Sequence, residues 1–210
     1  MSECSLIKVA RVEARRRRVP AMAPEERRAA LIAATIPLLH EHGVDVSTRQ
    51  IAQAAGVAEG TIFGVFETKT SLVVCSVVKA LDPEPTLEAL GAIDLAAPLR
   101  ERLAAAADLV HERFAKNAQL MTAARKLVIA AQDQDTVKRM TAGREALHAA
   151  IVSVIEPDAG QLRRPPGAVA TLLLMFCGAN TYGPFGDPTN FSGAETVSLL
   201  LDGLLTRGAQ

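Results

Sequence analysis

The sequence has no tryptophan, one tyrosine and six phenylalanines, so aromatics make up 3% of its 210 residues. Its core must therefore be aliphatic, and 49% hydrophobic residues supply enough material for one. Three cysteines, Cys4, Cys75 and Cys177, are odd in number and far apart, which suits neither a disulfide framework nor a zinc site. Cys75 and Cys177 lie in apolar runs and are expected as small core residues. No uninterrupted apolar run reaches the ~18 residues of a membrane span. The N-terminus carries charge without the apolar stretch of a secretory signal. A soluble, cytoplasmic protein is the expectation. Net charge is lacking too, with 23 basic and 23 acidic residues. The balance conceals a division: residues 1–80 hold 11 basic and 8 acidic residues, leaving 12 and 15 for the rest. A basic front on an acidic back points towards a polyanionic partner.

Strand signals are also missing, because no run of alternating β-branched residues is long enough to form one. Ala and Leu dominate, and the expected fold class is all-α. A first helix is expected from Pro24 to Gly43, with an apolar stripe at Leu31, Ala34 and Leu38, Ile32, Ile36 and Leu39 alongside it, and a kink at Pro37. A short helix should run from Ser47 to Ala55, another from Ala58 to Gly64, and a longer one from Thr68 to Leu81. Asp82-Pro83-Glu84-Pro85 reads as a breaker. Beyond it, helices are expected over about 97–115, 118–132, 134–155, 165–181 and 193–207, the last two separated by a loop at 183–188. The pattern divides into a basic, irregular arm over 1–23, a head over 24–70 and a helical body over 71–210.

The segment Thr48–Val65 reads TRQIAQAAGVAEGTIFGV and carries the most information. Two short helices crossing at a tight turn need a small residue where they approach, which Ala52 supplies. The turn needs a residue tolerant of positive φ, and Gly56 stands four positions on. Ile51, Ala55, Val57, Ile62 and Val65 are the apolar positions that pack such a pair. That leaves Ala58, Glu59, Gly60, Thr61, Phe63 and Gly64 facing outward on the second helix, where a major groove can be read.

Residues 24–80 resemble the N-terminal domain of the TetR (tetracycline-repressor) family of bacterial regulators. The resemblance rests on Arg28–Ala34, Leu39, Gly43, Ser47, Ile51-Ala52, Ala54–Val57, Gly60–Phe63, Phe66, Lys69 and Leu72. It implies a helix-turn-helix DNA-binding domain followed by a ligand-binding and dimerisation domain. It also implies a homodimeric repressor on a palindromic operator of double-stranded DNA, released by a small, largely apolar effector. By the same resemblance, Thr61 and Phe63 meet the DNA backbone or a thymine methyl. Phe63 replaces the more usual tyrosine and so lacks its phosphate-donating hydroxyl, and Gly64 and Val65 replace larger residues. Lys69, at the start of the fourth helix, matches a phosphate-binding lysine.

Ser47 and Thr48 can cap the second helix, reach a phosphate, or both. Arg49 is the long cation inside the motif and is expected to pair with guanine. Glu59 is either a solvated residue suited to a helix N-terminus or a base reader. The Arg15–Arg18 run is either a minor-groove arm or a solvated tail.

For the body, candidate effector contacts are His111, Phe114, Met121, Met140, His148, Met175, Phe176, Asn180 and Tyr182. The near-continuous apolar runs Val169–Cys177 and Val197–Leu205 suggest a four-helix seam between two subunits. Catalysis is not expected, since no nucleophile–base pair, phosphate loop or carboxylate dyad stands out. The histidines of His40-Glu41-His42 are two apart and point to different sides of a helix. No metal or cofactor is expected. The alternative reading is a helical regulator without effector control, or an adaptor acting through protein contacts.

Overall fold

The computed structural model describes residues 23–131, 134–182 and 191–204, and the backbone alone at 122–131, 180, 182, 203 and 204. Nine α-helices and no strand occur among the described residues. The Arg15–Arg18 arm, Cys4 and the loop at 183–188 lie outside them.

Helix α1 (Pro24–His42) starts with proline at its first position and Glu25 and Glu26 in its first turn. Glu26 accepts a hydrogen bond from the Ala23 N–H at 3.0 Å, so a carboxylate meets the positive end of the helix dipole. The helix runs through Pro37 undivided and stops at Gly43, whose φ of 61° is left-handed. Its buried face is Leu31, Thr35 and Leu39; Leu31 and Leu39 are as expected, whereas Ala34 and Leu38 are only partly buried and Thr35 takes the place between Leu31 and Leu39. Burying Thr35 is tolerable because its hydroxyl donates to the Leu31 carbonyl at 2.7 Å.

Helices α2 (Thr48–Ala55), α3 (Glu59–Phe63) and α4 (Lys69–Ala80) follow. Leu31, Leu39, Ile51, Ile62, Phe66, Leu72, Val73 and Val77 form one apolar core. Leu120, from the body, is also buried there.

The body corrects two expectations. Asp82-Pro83-Glu84-Pro85 follows the end of α4 as expected, but it also starts an unexpected helix, α5 (Glu84–Gly91). Asp82 accepts from the Glu84 N–H at 3.2 Å, and the prolines sit where a missing N–H costs nothing. The two helices expected over 97–132 are a single 33-residue helix, α6 (Leu99–Ala131). It contains neither Gly nor Pro to stop it. At 1.5 Å per residue it is about 50 Å long, enough to reach the cores of both head and body. Helices α7 (Gln134–Ile155), α8 (Pro166–Tyr182) and α9 (Gly193–Leu204) pack around it, with a 3₁₀ turn at Glu156–Gln161.

Two polar features lock this body. Gly193 opens α9 against α6, where a Cβ would overlap the Ala104 carbonyl and the Asp108 carboxylate. Its N–H donates to Asp108 at 2.6 Å. Arg102, 1% exposed, donates to the Leu95 carbonyl at 2.6 Å and to the Asp158 carboxylate. It thereby ties the start of α6 to the turn after α7.

Candidate nucleic-acid interface

The turn between α2 and α3 is set by Gly56, in the left-handed conformation at φ 65°. Its N–H donates to the Gln53 carbonyl at 3.2 Å, and the Val57 N–H donates to that of Ala52 at 3.0 Å. This pair of bonds satisfies the last carbonyls of α2 and turns the chain sharply. Ser47 begins α2 with a reciprocal cap: it accepts from the Gln50 N–H at 3.2 Å, and Gln50 accepts from the Ser47 N–H at 2.8 Å. Thr68 and Ser71 repeat the arrangement at the start of α4. Ile51, Ala52 and Ile62 are buried between the two short helices, as the spacing predicts.

The residues expected to contact DNA lie at the surface. Ser47, Arg49, Ala58, Glu59, Gly60 and Gly64 are exposed; Thr48, Thr61 and Lys69 are partly so; Phe63 is 53% exposed. With about half of its surface in water, Phe63 forgoes about half of the roughly 1.5–3 kcal/mol that full burial gives, and a partner covering it would recover that part. At Gly60 a Cβ would meet nothing within 4 Å. A glycine inside a helix costs about 0.5–1 kcal/mol relative to alanine, and internal packing gives no reason for it. Gly64, with only ordinary contact to the Thr61 carbonyl at 3.5 Å, is similar.

Charge is distributed unevenly over this surface. Glu59 accepts a hydrogen bond from the Thr48 hydroxyl, which bridges the two helices and engages both side chains. Neither Arg49 nor Lys69 forms an ion pair among the described residues.

The head is joined to the body through α4 and α6. Arg113 of α6 donates to the Leu81 carbonyl at 2.6 Å and to that of Asp82 at 2.9 Å, holding the end of α4. The exposed Lys79 and Asp82 pair at 2.8 Å, each favouring the other's charged form. Behind this junction a cleft opens between α1, α4 and α6–α8. Phe114, Met121, Met140, His148 and Met175 all line it, although Met175 is 64% exposed. The His148 Nε2 is taken up by the Gly167 carbonyl at 2.9 Å and the Thr171 hydroxyl at 3.1 Å.

His111 and Phe176 are elsewhere: Phe176 packs edge-on against Phe191, their ring centroids 5.6 Å apart. The side chains of Asn180 and Tyr182 lie outside the described residues. Sequence reasoning missed Arg28 and Arg113, whose partners are 31 to 47 residues away. His42 Nε2 lies 3.7 Å from the adjacent Glu41 carboxylate, and no metal-binding group of three occurs among the described residues. Cys177 is buried, its thiol pushed up to about 12 by desolvation, whereas Cys75 is half-buried at the cleft.

His111 lies in the body with its Nε2 buried and without a hydrogen-bond partner among the described residues. Burial lowers its pKa, and Asp108 opposes the shift. A lowered folded-state pKa means that protonation favours unfolding, so this contribution is intact above about pH 6.5 and declines as the pH falls towards the folded value. His111→Gln should therefore flatten the fall in melting temperature between about pH 7 and pH 5, as followed by circular dichroism.

Residues 31–74 match the family model of bacterial regulatory proteins of the tetR family. No curated protein matches the sequence. Among solved structures, a TetR-family transcriptional regulator from Mesorhizobium loti is 18% identical with a TM-score of 0.61, the match covering 88% of this chain and 99% of that one. A regulatory protein of the family from Rhodococcus RHA1 is 19% identical at 0.61, covering 84% and 96%. One from Streptomyces coelicolor is 21% identical at 0.63, covering 85% and 78%. At these identities the whole-chain likeness is one of fold, and the family model adds the identity of the head. No helix among the described residues is long and apolar enough to cross a membrane. Residues 31–74 thus carry the helix-turn-helix head of the tetR-family regulatory proteins, on a chain with the fold of the solved regulators of that family.

Proposed function

We propose that the protein is a homodimeric repressor that occupies a palindromic operator and leaves it when a small effector binds the body. The observation that carries the reading is the outward face of α3, where an exposed Phe63 adjoins two glycines that internal packing does not require. A surface without side chains lets a backbone approach closely, and a duplex is the partner whose groove accepts such a helix. Arg49 pairs with a base, while Lys69 and the α4 N-terminus hold a phosphate. Thr61 and Phe63 contact the sugar-phosphate backbone or a thymine methyl. Ser47 and Thr48 bring the α2 N-terminus to the second strand, and Ala58, Glu59, Gly60 and Gly64 complete the contact face.

The exposed Leu172, Met175 and Leu199 of α8 and α9 support a seam with a second copy. Two heads held at a fixed spacing then read half-sites about one helical turn apart. Selection of bound duplexes from a random pool should return such a palindrome. Enrichment of no sequence, with no salt-dependent binding, would overturn the proposal.

Two substitutions separate the roles within the head. Arg49→Ala should cost about 1–3 kcal/mol on the selected site and relax the preference at one position per half-site. Lys69→Ala should weaken binding to all sequences alike and lower the salt slope by about one for each phosphate it no longer neutralises. Titrations of selected and scrambled duplexes at several salt concentrations distinguish them. Identical behaviour of the two variants on every sequence would remove the base contact from Arg49.

A further inference from the structure

The cleft between head and body has a chemical bias that narrows its ligand. Its walls carry Ile32 and Ile36 of α1, Val78 of α4, Met121 of α6, Met140 of α7 and Leu174 of α8. Among the described residues of the lining, Phe114 supplies the one phenyl ring, so the walls suit a flexible aliphatic ligand better than a stack of flat rings. Its charges do not balance. Arg28, Lys79, Arg113, Arg139 and Arg144 face three carboxylates, those of Asp82, Asp135 and Glu145. Lys79 is paired with Asp82, Arg113 is occupied by two carbonyls, and Arg139 and Arg144 are exposed.

Arg28 differs from all of these. It is half-buried, and no carboxylate pairs with it among the described residues. Its guanidinium donates to the Cys75 sulfur at 3.1 Å, a weak acceptor, and lies 4.3 Å above the Phe66 ring. A partly desolvated cation with such partners gains by exchanging them for an anion, with which a guanidinium forms two parallel hydrogen bonds.

We infer that this cleft binds an aliphatic carboxylate, with its anionic end on Arg28 and its chain along the apolar walls of α1, α4, α6 and α7. The inference deepens the effector-controlled reading and rests on it only for its consequence on DNA. Arg28 to Ile36 covers about 12 Å of α1 at 1.5 Å per residue, a track for a medium-length alkyl chain. The anchor stands in the DNA-binding head itself. An anion that draws the guanidinium from Phe66 acts on the segment immediately after α3, where the Phe66 N–H donates to the Ile62 carbonyl at 2.8 Å. The ligand thereby contacts head and body together, and this gives it different affinities for two relative placements of them.

The test is calorimetric titration of the full-length protein with decanoate and with 1-decanol, below their aggregation limits, alongside release of labelled operator. Decanoate should bind about tenfold or more tightly than decanol, the difference a charged pair of hydrogen bonds provides. Arg28→Gln should abolish that preference and leave decanol unchanged, while Arg28→Lys should restore part of it. Ala33→Phe, an exposed position on the cleft wall, should block both ligands while keeping a wild-type melting temperature. This second variant keeps the test intact should the Arg28 variants lose stability. Equal binding of acid and alcohol, no binding of either, or decanoate binding indifferent to both Arg28→Gln and Ala33→Phe would overturn the inference. Arg28-dependent binding that leaves the operator occupied would uphold the site and overturn effector control through it. Release by another compound, with decanoate not binding, would do the reverse.

Discussion

Asp158→Ala is expected to destabilise the body by about 3 kcal/mol, because it strands a buried guanidinium. Arg102 is 1% exposed, and its Nε already lacks a partner among the described residues. The charge is therefore satisfied by the Asp158 carboxylate and one carbonyl, that of Leu95. Breaking a buried pair from one side typically costs about 3–5 kcal/mol. The low end applies here because the Asp158 side chain is 27% exposed, and water can reach the vacated position. The double replacement Arg102→Met with Asp158→Leu removes both charges and should recover most of the loss, since an apolar pair carries no desolvation penalty. Urea denaturation of wild type and the two variants measures both the loss and its recovery. A loss below about 1 kcal/mol for Asp158→Ala would mean that the pair behaves like a surface ion pair. The operator affinity of Asp158→Ala, measured well below its melting temperature, should be that of wild type, because the pair belongs to the body.

Arg102 also marks where sequence reading stops. Its neighbours Arg100 and Glu101 make it one polar residue among several, and Asp158 is 56 positions away, so no local pattern announces a buried ion pair. The head is legible for the opposite reason, since its determinants are local. Ser47 and Gln50 cap one helix, Gly56 ends it with positive φ, and Ile51 and Ile62 are spaced for the crossing. Helix α5 is hidden in the sequence because two prolines look like terminators, yet after Asp82 they sit in a first turn. A break in α6 is expected near Asn117, but that polar side chain donates to the Arg113 carbonyl at 2.9 Å and leaves the helix intact. Phe114, Met121, Met140, His148 and Met175 can be nominated by residue type, but the cleft that gathers them depends on tertiary packing. Arg28 is inconspicuous in the sequence because its partners, Phe66 and Cys75, become neighbours only when α1 packs on α4.

Phe66→Ala should produce the largest loss in the head, about 3–5 kcal/mol, by opening a cavity under the reading helix. Phe66 is 2% exposed, at the point where the chain leaves α3 for α4. A five-residue helix has no stability of its own, because nucleation is unfavourable and too few bonds follow to offset it. Helix α3 is held in place by what it buries, and Ile62 and Phe66 are its buried apolar anchors. The Arg28 guanidinium over the ring adds about 0.5–2 kcal/mol, which Phe66→Leu removes while keeping most of the apolar volume. Phe66→Leu should therefore melt between wild type and Phe66→Ala. The two variants should also differ in DNA binding at a temperature where both remain folded. Phe66→Ala should lose affinity for specific and scrambled duplexes together, because the whole contact face shifts with α3, while Phe66→Leu keeps the preference for the selected site. Should Phe66→Ala bind the selected operator as wild type does, the placement of α3 would have to come from the α2 turn and Ile62 alone. The left-handed Gly56 and its two hydrogen bonds would then be the determinant of how this protein presents its reading helix.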